Sequence, residues 1–81
     1  MARQSGKTDS DGKLQRLGEA IRSARSAQGY SQEAFADAVG IDRSHIGKIE
    51  RGERNVSFLN VARIAVALNI TVAALAQSAK L

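Results

Sequence analysis

Apolar residues recur at helical spacing in five stretches of the chain, separated by short polar breaks. Leu14, Leu17, Ile21 and Ala24 fall at steps of three, four and three residues, one face of a helix over 13–28 that Gly29 closes. Phe35, Ala38 and Val39 give a second, shorter helix its apolar edge. Ser31 stands where a side-chain oxygen accepts from an orphan amide at that helix's start, and Glu33 in the first turn suits the positive end of its dipole. Gly40 follows at the point where a chain most easily enters the left-handed region. Asp42 caps a third helix from Arg43 to about Arg51, with Ile46 and Ile49 turned inward. Ser57 caps a fourth, FLNVARIAVALN, whose apolar edge is Val61, Ile64, Ala65 and Leu68, with Phe58 and Leu59 near its start. Asn69 ends it, and Thr71 caps a fifth, VAALAQSAK, with Val72, Leu75 and Ala76 on one side. Nothing reads as a strand or an internal repeat, and proline is absent. The expected fold class is therefore all-α, a five-helix bundle.

Residues 1–12, MARQSGKTDSDG, are polar and without periodicity, and are expected to form a disordered tail ahead of one domain over 13–81. Arg3 and Lys7 are within reach of a DNA groove in the manner of an N-terminal arm, although a solvated terminus is the simpler reading. With 81 residues the chain has room for one small domain. Such a chain buries only about 60% of its unfolded surface, and without cysteine it has neither disulfides nor a zinc site to reinforce it. Helix packing and self-association remain. From the fourth helix onward the only charged side chains are Arg63 and Lys80. That apolar third either completes the core or forms a two-fold seam with a second copy, a homodimer. No apolar run approaches the roughly 18 residues of a membrane span, and no apolar signal segment opens the chain. A soluble, cytoplasmic protein is expected.

The formal charge is +4, twelve Lys and Arg against eight acids. Alone this says little, but Arg43, Arg51 and Arg54 cluster around the third helix. Two short helices joined by a turn of a few residues containing glycine make a helix-turn-helix, and SQEAFADAVGIDRSHIGKIER over 31–51 has that pattern. Gln32, Ala36, Gly40, Ile46, Ile49, Glu50 and Gly52 fall at the spacing of the phage Cro/repressor type, the xenobiotic-response-element family, which the chain resembles from Leu14 to Ala76. GIDRSHIGKIERGERNVS is most similar to the controller proteins of restriction–modification systems, although His45 replaces a frequent aromatic and Gly47–Lys48 depart from the usual pair.

The resemblance implies a lambda-repressor-like DNA-binding fold and, across the first and third helices, an ion pair of Arg25 with Glu50. With Ile46 and Ile49 inward, Arg43, Ser44, Gly47 and Lys48 turn outward near the end a helix-turn-helix presents to base edges, with His45 beside them. Arg43 suits guanine O6 and N7 through two parallel hydrogen bonds. Gly47 allows close approach to a groove wall, and Lys48 serves a guanine or a phosphate. Ser31 and Gln32 offer amides and a donor side chain to the DNA backbone, as the resemblance also implies for Gln32, and Arg51, Arg54 and Asn55 flank the other side.

Catalysis is not expected. One His, one Tyr and no Cys leave only His45 for a triad, on an exposed helix, and a metal would lack a second imidazole. No glycine-rich nucleotide loop is present, and no cofactor, metal or small-molecule ligand is implied. The expected function is a sequence-specific transcriptional regulator, a homodimer on double-stranded operator DNA, with assembly into a tetramer left open. The resemblance implies control of a restriction–modification operon. A phage-type repressor is one alternative. An antitoxin acting chiefly as a protein-interaction module is another.

Overall fold

The computed structural model describes residues 9 and 11–81; most of the expected tail, with Arg3 and Lys7, lies outside the described residues. Five helices follow in order: α1 (Lys13–Ala27), α2 (Gln32–Val39), α3 (Arg43–Glu50), α4 (Phe58–Ala67) and α5 (Val72–Ser78). No strand occurs among the described residues. The hydroxyls of Ser31, Ser57 and Thr71 each accept from the amide three residues on, at 3.0, 3.1 and 2.9 Å. At α3, Asp42 accepts from the Ser44 amide at 3.2 Å and from the Ser44 hydroxyl. Helix α1 starts differently, because Gly12 has no side chain to cap with. Asp9 reaches forward instead and accepts from the amides of Leu14 and Gln15 at 3.0 and 3.2 Å. Asp9 is thus held against the first turn of α1.

The C-termini close through left-handed residues. Gly40 has φ 84° in the turn between α2 and α3. After α3, the Gly52 amide donates to the Ile49 carbonyl at 3.0 Å and the Glu53 amide to the Lys48 carbonyl at 2.9 Å, the paired bonds of a Schellman motif. These termini turn the chain sharply, and five short helices close around one core. Ile21, Phe35, Ile46, Ile64, Leu68 and Leu75 are its fully buried large side chains. Along α2 the buried residues are Phe35, Ala36 and Val39, whereas Ala38 is exposed. At about 100° per residue, the buried arc runs from Phe35 past Val39 to Ala36, because α2 is packed by α3 on one side and α4 on the other. Phe58 and Leu59, grouped by pattern with the apolar edge of α4, point outward. No single helix among the described residues is long and apolar enough to cross a membrane, and α4 and α5 meet at 94°.

Helix α1 lies against α3 at Gly18. An ideal Cβ there would stand 2.4 Å from the Ile49 carbonyl oxygen and 2.5 Å from that of Glu50. Gly52 makes a second close contact, its Cβ position 2.8 Å from Gln15 Cα. Glycine in a helix interior ordinarily destabilises by about 1 kcal/mol relative to alanine, so Gly18→Ala would be stabilising on propensity alone. Backbone atoms cannot yield as a flexible side chain does, and overpacking of this kind costs about 1–3 kcal/mol. The variant is expected to unfold at a lower urea midpoint than the parent; a raised midpoint would show that α1 does not sit this close to α3. The α3 cap gives a pH dependence. The Ser44 hydroxyl, with the amides of Ser44 and His45, holds the Asp42 carboxyl below its ordinary value of 3.8. A depressed carboxyl stabilises the fold fully above its unfolded value, and the contribution is lost as pH falls through the folded value. Asp42→Asn keeps an acceptor that does not titrate, so its stability relative to the parent should rise on acidification below pH 3.8. A constant difference would contradict this.

Candidate nucleic-acid interface

Two buried isoleucines set the orientation of α3. Ile46 is fully enclosed and Ile49 nearly so, so the opposite side faces solvent near the helix's N-terminal end. Arg43 and Ser44 are exposed there, and His45 and Lys48 are half-buried. The guanidinium of Arg43 has no partner among the described residues, whereas the Ser44 hydroxyl is donated to Asp42. Gly47 differs from expectation. It is buried, because the side chains of Arg51 and Gln32 lie over it; a Cβ added there would meet Arg51 Nη1 at 3.2 Å and the Gln32 amide at 3.7–3.8 Å. Its lack of a side chain therefore leaves room for the Arg51 and Gln32 side chains.

The structure brings Arg25 and Glu50 together. Arg25 donates through Nε to Glu50 Oε2 at 2.7 Å and through Nη2 to Oε1 at 3.1 Å. The two side chains are only 11% and 2% exposed. The remaining edge of the guanidinium donates from Nη1 to the Tyr30 carbonyl at 2.8 Å, fixing the segment that leads into α2. Gln32 completes the cluster, its Nε2 donating to Glu50 Oε1 at 3.0 Å. One N–H of the Gln32 amide is thereby committed to Glu50, which ties the start of α2 to the last turn of α3. No buried side-chain polar atom among the described residues lacks a partner.

Beyond α3, Arg51 forms a two-pronged pair with Glu53: Nε to Oε2 at 2.9 Å and Nη2 to Oε1 at 3.2 Å. Both side chains are more than half exposed. The Arg51 guanidinium holds the Glu53 carboxyl below its ordinary range with help from Lys48, and Glu53 raises Arg51 in return. Arg54 and Asn55 follow, both exposed. The structure thus brings Gln32, Gly47, Glu50 and Arg51 together, with Arg43, Ser44, His45 and Lys48 along the N-terminal part of α3 and Arg54 and Asn55 exposed past its end. Among the described residues no group of His, Cys, Asp and Glu is arranged to hold a metal ion.

Sequence reasoning missed several residues that position this surface. Gly18 carries no periodic signal, since a helix interior gives no reason for glycine until a second backbone is known to lie against it. Gln28 donates to the Leu68 carbonyl at 2.7 Å, joining the end of α1 to the end of α4. Arg16 donates to the Ala79 carbonyl at 3.2 Å, joining α1 to the chain after α5. Glu53 lies in the polar loop after α3, and its pairing with Arg51 depends on the turn at Gly52, which apolar periodicity does not report.

Residues 21–75 match the helix-turn-helix family model. Control protein C.SmaI of Serratia marcescens is 43% identical over 56 residues, which span 69% of this chain and 67% of that protein. The crystal structure of the restriction–modification controller protein C.AhdI from Aeromonas hydrophila superposes with a TM-score of 0.77 at 44% identity, over 79% of this chain and 97% of the other. The controller protein C.Esp1396I, solved as a tetramer with its natural 35 base-pair operator, matches with a TM-score of 0.77 at 25% identity, over 84% of this chain and 90% of the other. The folds of these two solved controller proteins superpose on the five helices described above, of which α2 and α3 form the helix-turn-helix. The chain belongs to the helix-turn-helix family and is a DNA-binding transcriptional regulator homologous to restriction–modification controller proteins.

Proposed function

We propose that the protein is a homodimer that reads a two-half-site operator, one α3 per subunit lying in successive major grooves about 34 Å apart, and that it controls a restriction–modification operon. The observation that carries this reading is the N-terminal end of α3, where Arg43 and Ser44 are exposed while Ile46 and Ile49 face the core, on a helix packed from behind against α1 at Gly18. A helix that enters a groove must keep its orientation while its exposed side chains meet base edges, and rigid placement on a packed scaffold supplies that. Arg43 is the base reader, with Ser44, His45 and Lys48 beside it and Gly47 keeping the helix surface low. Ser31, Gln32, Arg51, Arg54 and Asn55 hold the DNA backbone. The similarity to controller proteins, one of them solved as a tetramer on its operator, supports the operon assignment and a higher assembly on DNA. The protein works in the cytoplasm and has no catalytic role.

The dimer surface in this reading is the outer side of α4. Phe58, Leu59 and Val66 are 74, 60 and 78% exposed, and burying such side chains against a second copy is favourable by about 1.5–3 kcal/mol each. Val66→Glu is expected to fold as the parent does, to sediment as a monomer and to bind DNA more weakly; an unchanged sedimentation coefficient would place the seam elsewhere.

Base reading and backbone contact leave different signatures. Arg43→Ala should lower affinity for the preferred sequence by about 1–3 kcal/mol and relax discrimination at one base position. Arg54→Ala should weaken binding alike on all duplexes and reduce the salt slope by about one. Equal losses on every sequence for Arg43→Ala, measured by fluorescence anisotropy, would reduce Arg43 to a phosphate contact.

A further inference from the structure

The Arg51–Glu53 pair has a consequence for the strength of DNA binding. Arg51 closes α3, and the reading above gives it a phosphate. In the free protein both inner prongs of its guanidinium are already taken by a carboxylate, at 2.9 and 3.2 Å. A carboxylate and a phosphate present the same pair of oxygens to an arginine fork. The placement of Glu53 follows from the backbone: Gly52, with φ 73°, turns the chain back, and the Glu53 amide is tied to the Lys48 carbonyl at 2.9 Å. The acid is thereby held beside the last turn of α3 instead of leading away with the loop. The other carboxylate at this end, Glu50, is committed to Arg25 and Gln32. The pair is exposed, so solvent screens it and it exchanges readily.

We propose that Glu53 is a built-in competitor for the DNA backbone: its carboxylate occupies the edge of Arg51 that a phosphate takes in the complex, and so lowers the affinity of the protein for every duplex. The proposal rests on Arg51 being a backbone contact. Binding then requires the fork to be handed from Glu53 to the phosphate, while the displaced carboxylate stays near the negatively charged strand. Both effects weaken binding without regard to sequence, which restrains occupancy of DNA outside the operator.

The test is a double-mutant cycle on the full chain, with a labelled duplex of one arbitrary sequence as the probe, titrated at several salt concentrations. Glu53→Gln keeps the shape and removes the charge. It should tighten binding of the parent by about two- to five-fold, the scale of an exposed pair, and should give a clearly smaller gain in an Arg51→Ala background, where only the repulsion from the strand is relieved. An equal gain in both backgrounds would overturn the proposal, because it would reflect only one fewer negative charge on the protein. No change in the parent background would overturn it as well. Arg51→Ala alone should weaken binding and lower the salt slope by about one. If it does neither, the backbone-contact reading of Arg51 fails, and the proposal with it; if it does both while Glu53→Gln is silent, the reading stands and only the competitor role falls.

Discussion

A carboxylate buried to 2% exposure is an expensive thing to place in a domain of 81 residues, and the helix-turn-helix is arranged around making it tolerable. Removing Glu50 from water is offset only if its oxygens are fully paired. They receive three hydrogen bonds, two from Arg25 on α1 and one from Gln32 at the start of α2, while the carboxylate itself belongs to the last turn of α3. Arg25 also holds the Tyr30 carbonyl in the connection to α2. One charge therefore ties together the three helices that present the outward face. Replacing the whole Arg25–Glu50 pair by well-packed apolar residues of similar volume would be no less stable in principle, whereas removing Glu50 alone would leave Arg25 uncompensated. The apolar pair would leave the Gln32 amide and the α1–α2 connection without a common anchor, so the cluster is better understood as setting geometry than as adding stability.

The close approach at Gly18 makes that geometry possible. Only where α1 and α3 nearly touch can the guanidinium of Arg25 reach the carboxylate of Glu50 with short bonds to both oxygens. The same approach fixes how far α3 stands out from the body of the protein. The outer surface of α3 then meets solvent with Arg43 exposed, the side chain with the greatest capacity to read a base pair. Packing behind the helix and recognition in front of it are two sides of one constraint.

The pattern of apolar residues and caps was enough to place all five helices, because each begins at a polar side chain or a turn and repeats at a period no strand can mimic. Ser31, Asp42, Ser57 and Thr71 stand at their helix starts, and Gly29, Gly40 and Asn69 turn the chain at the ends. Periodicity could not say which edge of α2 would be covered. That depends on α3 and α4 arriving together, which exposes Ala38 and buries Ala36. Likewise the spacing along α4 picks out Ile64 and Leu68, which are buried, but only the assembled bundle shows how far Phe58, Leu59 and Val66 stand exposed. For the candidate interface, residue type and spacing point to Arg43, Arg51 and Arg54 without showing how they are held. Arg43 is unpaired among the described residues, whereas Arg51 already has a carboxylate, a distinction made by the turn at Gly52.

In the proposed function α3 is held rigidly for insertion into a major groove, twice per dimer. Selection of bound duplexes from a random-sequence pool, carried through several rounds and sequenced, examines that directly, because it reports binding, symmetry and spacing together. The account predicts enrichment of an inverted repeat whose halves lie about one helical turn apart, or a multiple of that distance. Failure to enrich any sequence over the starting pool would contradict it.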